Sequence, residues 1–530
     1  MTVAEYIAKE LKARGIKYVF GIPGGPSIPY LEEFKNNGIK FILTSNESAA
    51  GIMADVTGRL TGIPGICHST FGPGATNLST GVGGAMLDRS PLIALTSEMP
   101  RALRNRTVQM NIDHQLLFDP ITKATVLIDN ENVKAALSDA FDLAKAEYPG
   151  PVHLGLPSDQ ALKNISEKTP AFIEQEKEPE LLIDTELIDL LQYSKRPLLV
   201  AGLTASRAGI KEEISDFLEK CPMPVILTPM AKGLLNEQHN CYCGVLFHAA
   251  SDKLSRVINE ADLVIGLGYD PVEYNYESWM PDVPLVHFNT VLTDMPAGAM
   301  IIKQVTGALD TVLSMISPFF EEPPGWDPMI IKECRDSILK LKDVPANGFG
   351  PLKVLNILQE NLSPDTILCL DVGSHIHLFG QFWQTSSPGK LLMTNGWSGM
   401  GFGIPASIAA ALNKPDVPVV CMTGDGGFLM MCGEIITAKR LNLDIIFIVL
   451  ADRELNLIKL KEDKQGLQTQ AVDLYKDKLI GTSSFLGVPV ISCDDEVHFR
   501  EALPSAYSQD GPVILELIID PSDYKNLVVI

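Results

Sequence analysis

The sequence predicts an α/β protein of three domains, each built on a parallel sheet flanked by helices. Short apolar runs rich in β-branched residues alternate with helical patterns along the 530-residue chain, as is typical of parallel sheets covered on both faces. Charged or proline-rich segments interrupt this alternation twice. We therefore expect an N-terminal domain over 1–165, a central domain over 181–317 and a C-terminal domain over 350–530.

The N-terminal domain begins with an amphipathic helix in MTVAEYIAKELKARG. A helix rich in small residues, AAGIMADVTGRLTG, is expected after the second strand. The charged segment EKTPAFIEQEKEPE then closes the domain as a linker. The strands of this domain are predicted at 17–20, 41–44, 66–70, 92–96 and 152–156.

The central domain shows a strand, a glycine turn and a helix at 196–209, and ADLVIGLGYDP from 261 repeats the strand and the turn. Turns of this kind can bind a nucleotide, but neither GxGxxG nor GxxxxGK[ST] occurs in the sequence. The alternative is a scaffold domain between two working ones. The segment SPFFEEPPGWDP at 317–328 marks the next boundary.

The most informative stretch lies at 417–461 in the C-terminal domain. It predicts a buried strand at 419–422, a Gly-Asp-Gly-Gly turn, an amphipathic helix through Arg440 and a second buried strand at 445–450. The carboxyl ends of parallel strands are where open α/β sheets bind phosphates and metals. We therefore expect a ligand site at this edge.

Two acids stand at the ends of these strands, Asp425 after the first and Asp452 after the second. Oxygen ligands of this kind suit Mg²⁺ or Ca²⁺, with the phosphates of a ligand completing the coordination. Gly424, Gly426 and Gly427 allow the backbone to approach a phosphate closely. The alternative is a tight strand–helix turn with solvated acids.

Composition excludes several classes of function. A net charge of −22 argues against nucleic acid or an anionic membrane as a partner. No apolar run reaches the ~18–20 residues of a membrane span, and the N-terminus does not read as a signal peptide. Nine scattered cysteines favour reduced thiols and a cytoplasmic location. The spacing of Cys241 and Cys243 does not match that of a zinc site.

The segments GDGGFLMMCGEIITAKRL and VLADRELNLIKLKE together resemble the diphosphate–Mg²⁺ signature of thiamine-diphosphate enzymes, in particular the acetolactate synthase branch. The resemblance implies thiamine diphosphate and Mg²⁺ as cofactors. It makes the side chains of Asp425 and Asp452 and the carbonyl of Glu454 the metal ligands, although Ala451 replaces the commoner Asn. Further cofactor contacts implied are Gly24, Asn77, Ser374, His375, Gly399, Gly424, Gly426, Gly427, Leu455 and Asn456.

Glu47 follows a predicted strand and begins the small-residue helix. From position alone, its carboxylate is expected to cap the helix. However, NESAAGIMADVTGRLTGIPG followed by FGPGATNL resembles the N-terminal signature of the same family, in which a Glu bonds the pyrimidine ring of the cofactor. A poorly solvated carboxyl there can share its proton with the ring, so that the exocyclic amine acts as a base on the thiazolium carbon.

Met400 lies between glycines in NGWSGMGFGIPAS, where the family places an apolar wedge that folds the two cofactor rings together. The alternative is a methionine that fills the core. The resemblance therefore assigns Met400 both a catalytic and a cofactor-binding role.

The substrate side departs from the family pattern. Asn46 replaces the usual His before the glutamate, and Phe71 replaces a small residue before Gly-Pro-Gly. His114 is suited to proton transfer near neutral pH, and His114 and Gln115 are candidate catalytic residues. His114 could equally be a surface histidine.

The expected function is that of a 2-oxoacid decarboxylase and carboligase of acetolactate synthase type. The alternatives are an acyltransferase or C–C lyase acting on another 2-oxo or 2-hydroxyacyl substrate, and a non-catalytic subunit that binds the cofactor. The string GYDPVEY resembles flavin-independent synthases and favours an enzyme without FAD. The family also implies a homodimer or homotetramer with active sites at the subunit interface.

Overall fold

The computed structural model describes residues 1–166, 183–274, 279–280, 282–295, 301–320, 324–343 and 348–526. The predicted linker at 167–180 lies outside these ranges, as do residues 321–323 of the predicted boundary at 317–328. Three sheets, of six, six and seven strands, organise the described residues. The α/β class and the predominance of parallel pairing are confirmed.

The first sheet has the strand order β2-β1-β3-β4-β6-β5, and every pair in it is parallel. Helices α3 and α4 pack against one another. The strands are β1 (Tyr18–Ile22), β2 (Lys40–Leu43), β3 (Gly65–Ser69), β4 (Leu92–Glu98), β5 (Ala124–Leu127) and β6 (Pro151–Pro157). The helices are α1 (Val3–Ala13), α2 (Ile28–Asn36), α3 (Glu47–Thr61), α4 (Pro73–Leu87), α5 (His114–Phe118) and α6 (Val133–Lys145).

The second sheet is also parallel throughout, in the order β12-β11-β10-β7-β8-β9. Its strands are β7 (Pro197–Ala201), β8 (Val225–Leu227), β9 (Tyr242–Val245), β10 (Leu263–Leu267), β11 (Leu285–Asn289) and β12 (Ile301–Thr306). Its helices are α7 (Thr185–Tyr193), α8 (Leu203–Ala208), α9 (Lys211–Lys220), α10 (Ser255–Glu260) and α11 (Leu309–Ile316), and α12 (Pro328–Leu339) follows.

The glycine turn between β7 and α8 finds its hydrogen-bond partner within the chain. The carboxylate of Glu273 accepts from the backbone N–H of Leu203 at 2.8 Å and from that of Met230 at 3.2 Å. Burial raises the pKa of Glu273 to about 8. Because the Glu273 carboxyl group already accepts from the N–H group that a phosphate would need, this geometry favours a scaffold role for the turn.

The third sheet has the order β14-β13-β15-β16-β19-β18-β17, with only the β17–β18 pair antiparallel. Its strands are β13 (Ile367–Leu370), β14 (Leu391–Leu392), β15 (Val419–Gly424), β16 (Ile445–Ala451), β17 (Ser484–Phe485), β18 (Val488–Cys493) and β19 (Val513–Ile518). Its helices are α13 (Pro351–Asn361), α14 (Ser374–Phe382), α15 (Gly403–Asn413), α16 (Asp425–Met431), α17 (Ile435–Arg440), α18 (Asn456–Lys464) and α19 (Glu496–Tyr507).

The helix predicted from the GDGG turn to Arg440 is not continuous. It breaks into α16 and α17 around a 3-10 turn at Cys432–Glu434. At the break the chain meets the N-terminal sheet: the Ser45 hydroxyl donates to the carbonyl of Gly433 at 2.8 Å, and a Cβ on Gly433 would lie 3.2 Å from that of Ser45. The hydrophobic pattern alone did not reveal this contact.

The first and third sheets share one hydrophobic core. Helices α3 and α15 pack against each other, and their small residues, including Ala50, Ala54, Ala406 and Ala410, are buried in the same cluster. Small side chains permit this close approach. The N-terminal and C-terminal units of one chain are therefore packed together.

Candidate active site

A cavity opens at the carboxyl edge of the third sheet, beyond β13, β15 and β16. Residues of three segments, 372–375, 424–427 and 450–458, line it together with Met400 and Tyr524. Most of the sequence-predicted cofactor residues of the C-terminal domain fall in this set, among them Ser374, His375, Asp425 and Asp452. The parallel register of β15 on β16 brings the two strand ends together, since Gly424 pairs with Leu450.

The carboxylate of Asp425 is buried and already hydrogen-bonded. One oxygen accepts from the backbone N–H of Arg453 at 2.7 Å and from the Tyr475 hydroxyl at 2.9 Å. The other accepts from the N–H of Gly426 at 2.8 Å. These bonds fix the carboxylate at the turn where a metal ligand is predicted.

Asp452 stands beside Asp425 at the next strand end. Burial, and next the negative charge of Asp425, raises the pKa of Asp452 to about 7. A half-buried carboxylate beside the buried charge of Asp425 forms a site that a divalent cation would stabilise. The third predicted ligand, the carbonyl of Glu454, lies in the same loop. The side-chain carboxylate of Glu454 forms an ion pair with Lys459.

A strap at 472–475 passes over this loop. The backbone N–H of Leu455 donates to the carbonyl of Val472, and the N–H of Leu474 donates to the carbonyl of Arg453. The strap thereby places the Tyr475 hydroxyl on Asp425. Sequence reasoning did not find Tyr475, because nothing in its local pattern marks a return to the turn.

Asp371 is a further buried acid that sequence reasoning missed. It follows β13 directly, and its Oδ1 accepts from the N–H groups of Gly401 and Phe402 at 2.8 and 3.2 Å. Its Oδ2 accepts from the Thr423 hydroxyl at 2.8 Å. The side chain therefore ties the segment after Met400 to the strand before Asp425. The same reasoning that singled out Asp425 and Asp452, an acid at a strand end, would have found it.

The glycines of the turn make room for these groups. A Cβ on Gly427 would lie 2.5 Å from the Asp371 carboxylate, and one on Gly426 would lie 2.8 Å from the terminal carbon of Met400. A Cβ built on Gly399 would lie 3.1 Å from the ring of Trp397. Side chains at the turn would displace Asp371 or Met400.

Three polar atoms around the cavity lack a hydrogen-bond partner although they are buried. They are Ser374 Oγ, His375 Nε2 and Asn456 Oδ1. Burial also lowers the pKa of His375 to about 4, so the ring is neutral near pH 7. Buried polar atoms without partners are costly, and these three are positioned to contact a ligand.

In the N-terminal unit, Glu47 is the first residue of α3 and is 7% exposed. Asn46, not Glu47, caps the helix, because its side chain accepts from the Ser48 N–H at 2.8 Å. The Glu47 carboxylate instead accepts from the Asn77 side chain at 3.1 Å and lies 3.2 Å from a Cβ built on Gly74. Its second oxygen is therefore available to a ligand.

Glu434, in the C-terminal unit, binds the two residues that precede Glu47. The Oε1 atom of Glu434 accepts from the N–H groups of Ser45 at 2.7 Å and Asn46 at 3.0 Å, and its Oε2 accepts from the Thr437 hydroxyl at 2.8 Å. Local sequence offers no signal for this role, since the partners are separated by almost 390 positions.

The remaining predicted residues lie in the N-terminal unit. Gly24 follows β1, and a Cβ there would lie 2.2 Å from the Thr70 hydroxyl. His114 is 1% exposed, which excludes the surface-histidine alternative. Gln115 pairs with Glu98 and with Thr125.

Within one chain these residues form two separate groups. The described residues that line the cavity all lie between 372 and 524. Gly24, Glu47 and Asn77 are not among them. One chain thus presents two partial sites.

Family models match all three units of the chain. The N-terminal TPP binding domain of thiamine pyrophosphate enzymes matches residues 1–117, their central domain matches 185–315 and their C-terminal TPP binding domain matches 371–517. A probable acetolactate synthase large subunit of Methanocaldococcus jannaschii is 30% identical over all of this chain and 93% of its own length. The chain belongs to the thiamine pyrophosphate enzyme family.

Other members of the family are similar over comparable lengths. An acetolactate synthase of Bacillus subtilis is 27% identical over 99% of this chain and 94% of its own length. The acetolactate synthase isozyme 1 large subunit of Escherichia coli is 29% identical over 98% of this chain and 94% of its own length.

The cofactor of a thiamine pyrophosphate enzyme is thiamine diphosphate, and the cavity suits it. The partnerless atoms of Ser374, His375 and Asn456 provide contacts, and the glycine turn offers a close backbone approach. The paired acids Asp425 and Asp452 suit a cation that carries a diphosphate. The residues present therefore fit the group.

No helix among the described residues is long and apolar enough to cross a membrane.

Proposed function

We propose that the chain is an acetolactate synthase-type enzyme, which decarboxylates a 2-oxoacid such as pyruvate and joins the resulting two-carbon unit to a second 2-oxoacid. The observation that carries the proposal is the pair of partial sites, one of cofactor-diphosphate type and one bearing Glu47. The relatives named acetolactate synthase, which are similar over nearly the whole chain, support the substrate class.

Bound thiamine diphosphate would supply a nucleophilic carbon and an electron sink for decarboxylation. Asp425, Asp452 and the carbonyl of Glu454 would bind Mg²⁺ and through it the diphosphate. Met400 projects beside Gly426 and would support the bent cofactor. The Glu47 carboxyl, held by Asn77, would exchange a proton with the pyrimidine.

Because Glu47 and the cavity belong to separate groups in one chain, we propose that a second copy completes each site. The Glu47 group of one copy would face the cavity of its partner in a homodimer or a dimer of dimers. Some relatives are named large subunits, which is consistent with an assembly.

The test is the reaction of the purified enzyme with thiamine diphosphate, Mg²⁺ and pyruvate, with the products identified. We expect acetolactate and carbon dioxide. Acetaldehyde as the sole organic product would indicate a decarboxylase, and unconsumed pyruvate with tightly bound cofactor would indicate a different substrate. Either result would contradict the synthase assignment.

The role of Glu47 is tested by Glu47→Gln, with the exposed Glu32→Gln as a control. The amide keeps the contact with Asn77 but cannot exchange the proton, so kcat should fall by about 10²–10⁴-fold while thiamine diphosphate still binds. Unchanged turnover in Glu47→Gln would refute the proposed mechanism.

A further inference from the structure

A chain of hydrogen bonds, buried in its first half and partly buried in its second, crosses the N-terminal unit from the backbone of Gly72 to the carboxyl group of Glu98. We propose that this relay holds His114 in a single neutral tautomer, and that His114 is a positioning residue for the Phe71–Gly74 turn beside Glu47. The kinetic part of this inference rests on the proposed function, and the tautomer does not.

The first half of the relay joins the turn to two strands. The N–H of Gly72 donates to His114 Nε2 at 3.2 Å. His114 Nδ1 lies 2.9 Å from Thr96 Oγ1 on β4, and that hydroxyl lies 2.7 Å from His153 Nε2 on β6. All three side chains are at most 1% exposed.

The second half returns along β5 to helix α5. His153 Nδ1 lies 2.7 Å from Thr125 Oγ1, and that hydroxyl donates to Gln115 Oε1 at 2.7 Å. Gln115 Nε2 then donates to Glu98 Oε1. Each link joins the next without a gap.

The two ends determine the direction of every bond between them. A backbone N–H only donates, so His114 Nε2 must be unprotonated and the proton of the neutral ring must sit on Nδ1. Nδ1–H then donates to Thr96, whose own hydroxyl proton goes to His153 Nε2. His153 carries its proton on Nδ1 and donates to Thr125. At the far end Glu98 Oε1 accepts from the Gln115 amide.

The absence of a side chain at Gly155 leaves room for the Glu98 and Gln115 side chains at the far end of the relay. A Cβ on Gly155, in the middle of β6, would lie 2.0 Å from Glu98 Oε1 and 2.7 Å from Gln115 Nε2. The ring of Phe118 stacks on that of His153, with centroids 4.3 Å apart. A glycine inside a strand weakens the sheet, so its presence here indicates that space for the Glu98–Gln115 pair is needed.

The Gly72 end of the relay lies at the start of the helix that contacts Glu47. Gly72 has φ 66° and ψ −114° and directly precedes α4. This helix carries Asn77, which donates to the Glu47 carboxylate, and Gly74, on which a Cβ would lie 3.2 Å from that carboxylate. A hydrogen bond that fixes the Gly72 N–H therefore fixes the start of α4 against Glu47.

The neutral state of His114 makes it unsuited to proton transfer near pH 7. Its Nε2 faces a donor. Burial lowers the pKa of His114 to about 4, although the negative charge of the adjacent Asp113 raises it. Glu98, His114 and His153 lie close enough to share a metal ion. However, both nitrogens of each ring are occupied by hydrogen bonds, so we assign a positioning role.

The tautomer can be observed by ¹⁵N NMR of the enzyme labelled at its nine histidines, because protonated and unprotonated ring nitrogens have distinct shifts. The His114 signals are assigned as those lost in His114→Gln. We expect Nε2 unprotonated and Nδ1 protonated, with no titration between about pH 6 and pH 8. A protonated Nε2, or titration in that range, would overturn the proposal whether or not pyruvate is the substrate.

Two substitutions at His114 separate positioning from bulk. His114→Gln can place an acceptor near Nε2 and keep the bond from Gly72, whereas His114→Asn is too short to do so. We expect His114→Asn to lower kcat/KM by about 10-fold or more, the cost of a buried N–H without a partner, and His114→Gln to recover most of that loss. Equal losses in the two variants would show that Gly72 does not depend on this acceptor.

Thr125→Val tests the distal half, with Thr122→Val as the matched control. Thr122 is a buried threonine in the same unit whose hydroxyl bonds only the local carbonyl of Phe118. Thr125→Val should shift the ring ¹⁵N signals of His153 and His114 and lower kcat/KM in the same direction as His114→Asn, by ~3-fold. Thr122→Val should leave both unchanged. Undisturbed His114 signals in Thr125→Val would show that the relay does not transmit.

Discussion

At the scale of single residues, burial decides the charge of the acids and histidines around the site. Burial raises the pKa of Asp452 and Glu98, each to about 7, and lowers that of His114 and His375, each to about 4. Residue type alone would assign charged acids and half-protonated rings near pH 6.5. Near pH 7 both rings are instead neutral, and His114 Nε2 accepts a hydrogen bond.

Glu98 makes this testable through stability. Its pKa is raised to about 7 from 4.5, mainly by burial, with Arg104 lowering it and Asp113 raising it. The folded state therefore holds a proton that the unfolded state releases between these two values, and stability falls as pH rises through that window. The stabilisation that the retained Glu98 proton provides is fully lost above about pH 7.

Glu98→Gln removes this dependence while still accepting from Gln115. We expect its thermal midpoint to equal that of the parent near pH 4.5 and to exceed it by a few degrees at pH 8. That difference corresponds to roughly 1–3 kcal/mol in the free energy of unfolding. The measurement is thermal unfolding of both proteins across this range. A midpoint difference that does not grow with pH would contradict the assignment.

At the scale of elements, the break between α16 and α17 links the two halves of one chain. The 3-10 turn at Cys432–Glu434 replaces a helical turn and aims the Glu434 carboxylate at the N–H groups of Ser45 and Asn46. These N–H groups precede α3. The C-terminal unit thus sets the start of the helix that carries Glu47.

Glu434→Ala should remove the acceptor of both N–H groups and destabilise the enzyme by about 1–2 kcal/mol, since Ser45 is exposed and Asn46 half-buried. Glu434→Gln is the matched control, because its carbonyl can accept both bonds while its amide donates to Thr437. Chemical denaturation measures the difference, and kcat reports whether Glu47 has moved. Equal stability of the two variants would show that these bonds contribute little.

At the scale of the whole molecule, α3 and α15 bring the N-terminal and C-terminal units together, yet the Glu47 group does not line the cavity of its own chain. A second copy related by two-fold symmetry would complete both sites at once.

Mixing two inactive variants tests this arrangement. Glu47→Gln and Asp425→Asn each damage a different group, so a mixed dimer would contain one intact site and one with both changes. After co-refolding or co-expression, we expect about a quarter of parental activity, from random pairing of two chains. Mixtures no more active than the separate variants would place both groups in one chain.

Sequence by itself determined the α/β class, seven strands to within two residues and the two acids at neighbouring strand ends. Strand periodicity and the rule that ligands bind at carboxyl ends of parallel strands are local or topological, so Asp425 and Asp452 could be found from spacing. The resemblance to thiamine-diphosphate enzymes added Glu47 and Met400, which spacing alone left open as a helix cap and a core residue.

Only the tertiary structure decided the roles of Asp371, Glu434 and Tyr475, and the directed relay through His114 to Glu98. Each depends on hydrogen bonds between residues far apart in the chain, and a hydrogen bond needs atomic distance and direction that no sequence pattern encodes. The same holds for protonation, because burial, which lowers the pKa of His114, is a property of the folded chain.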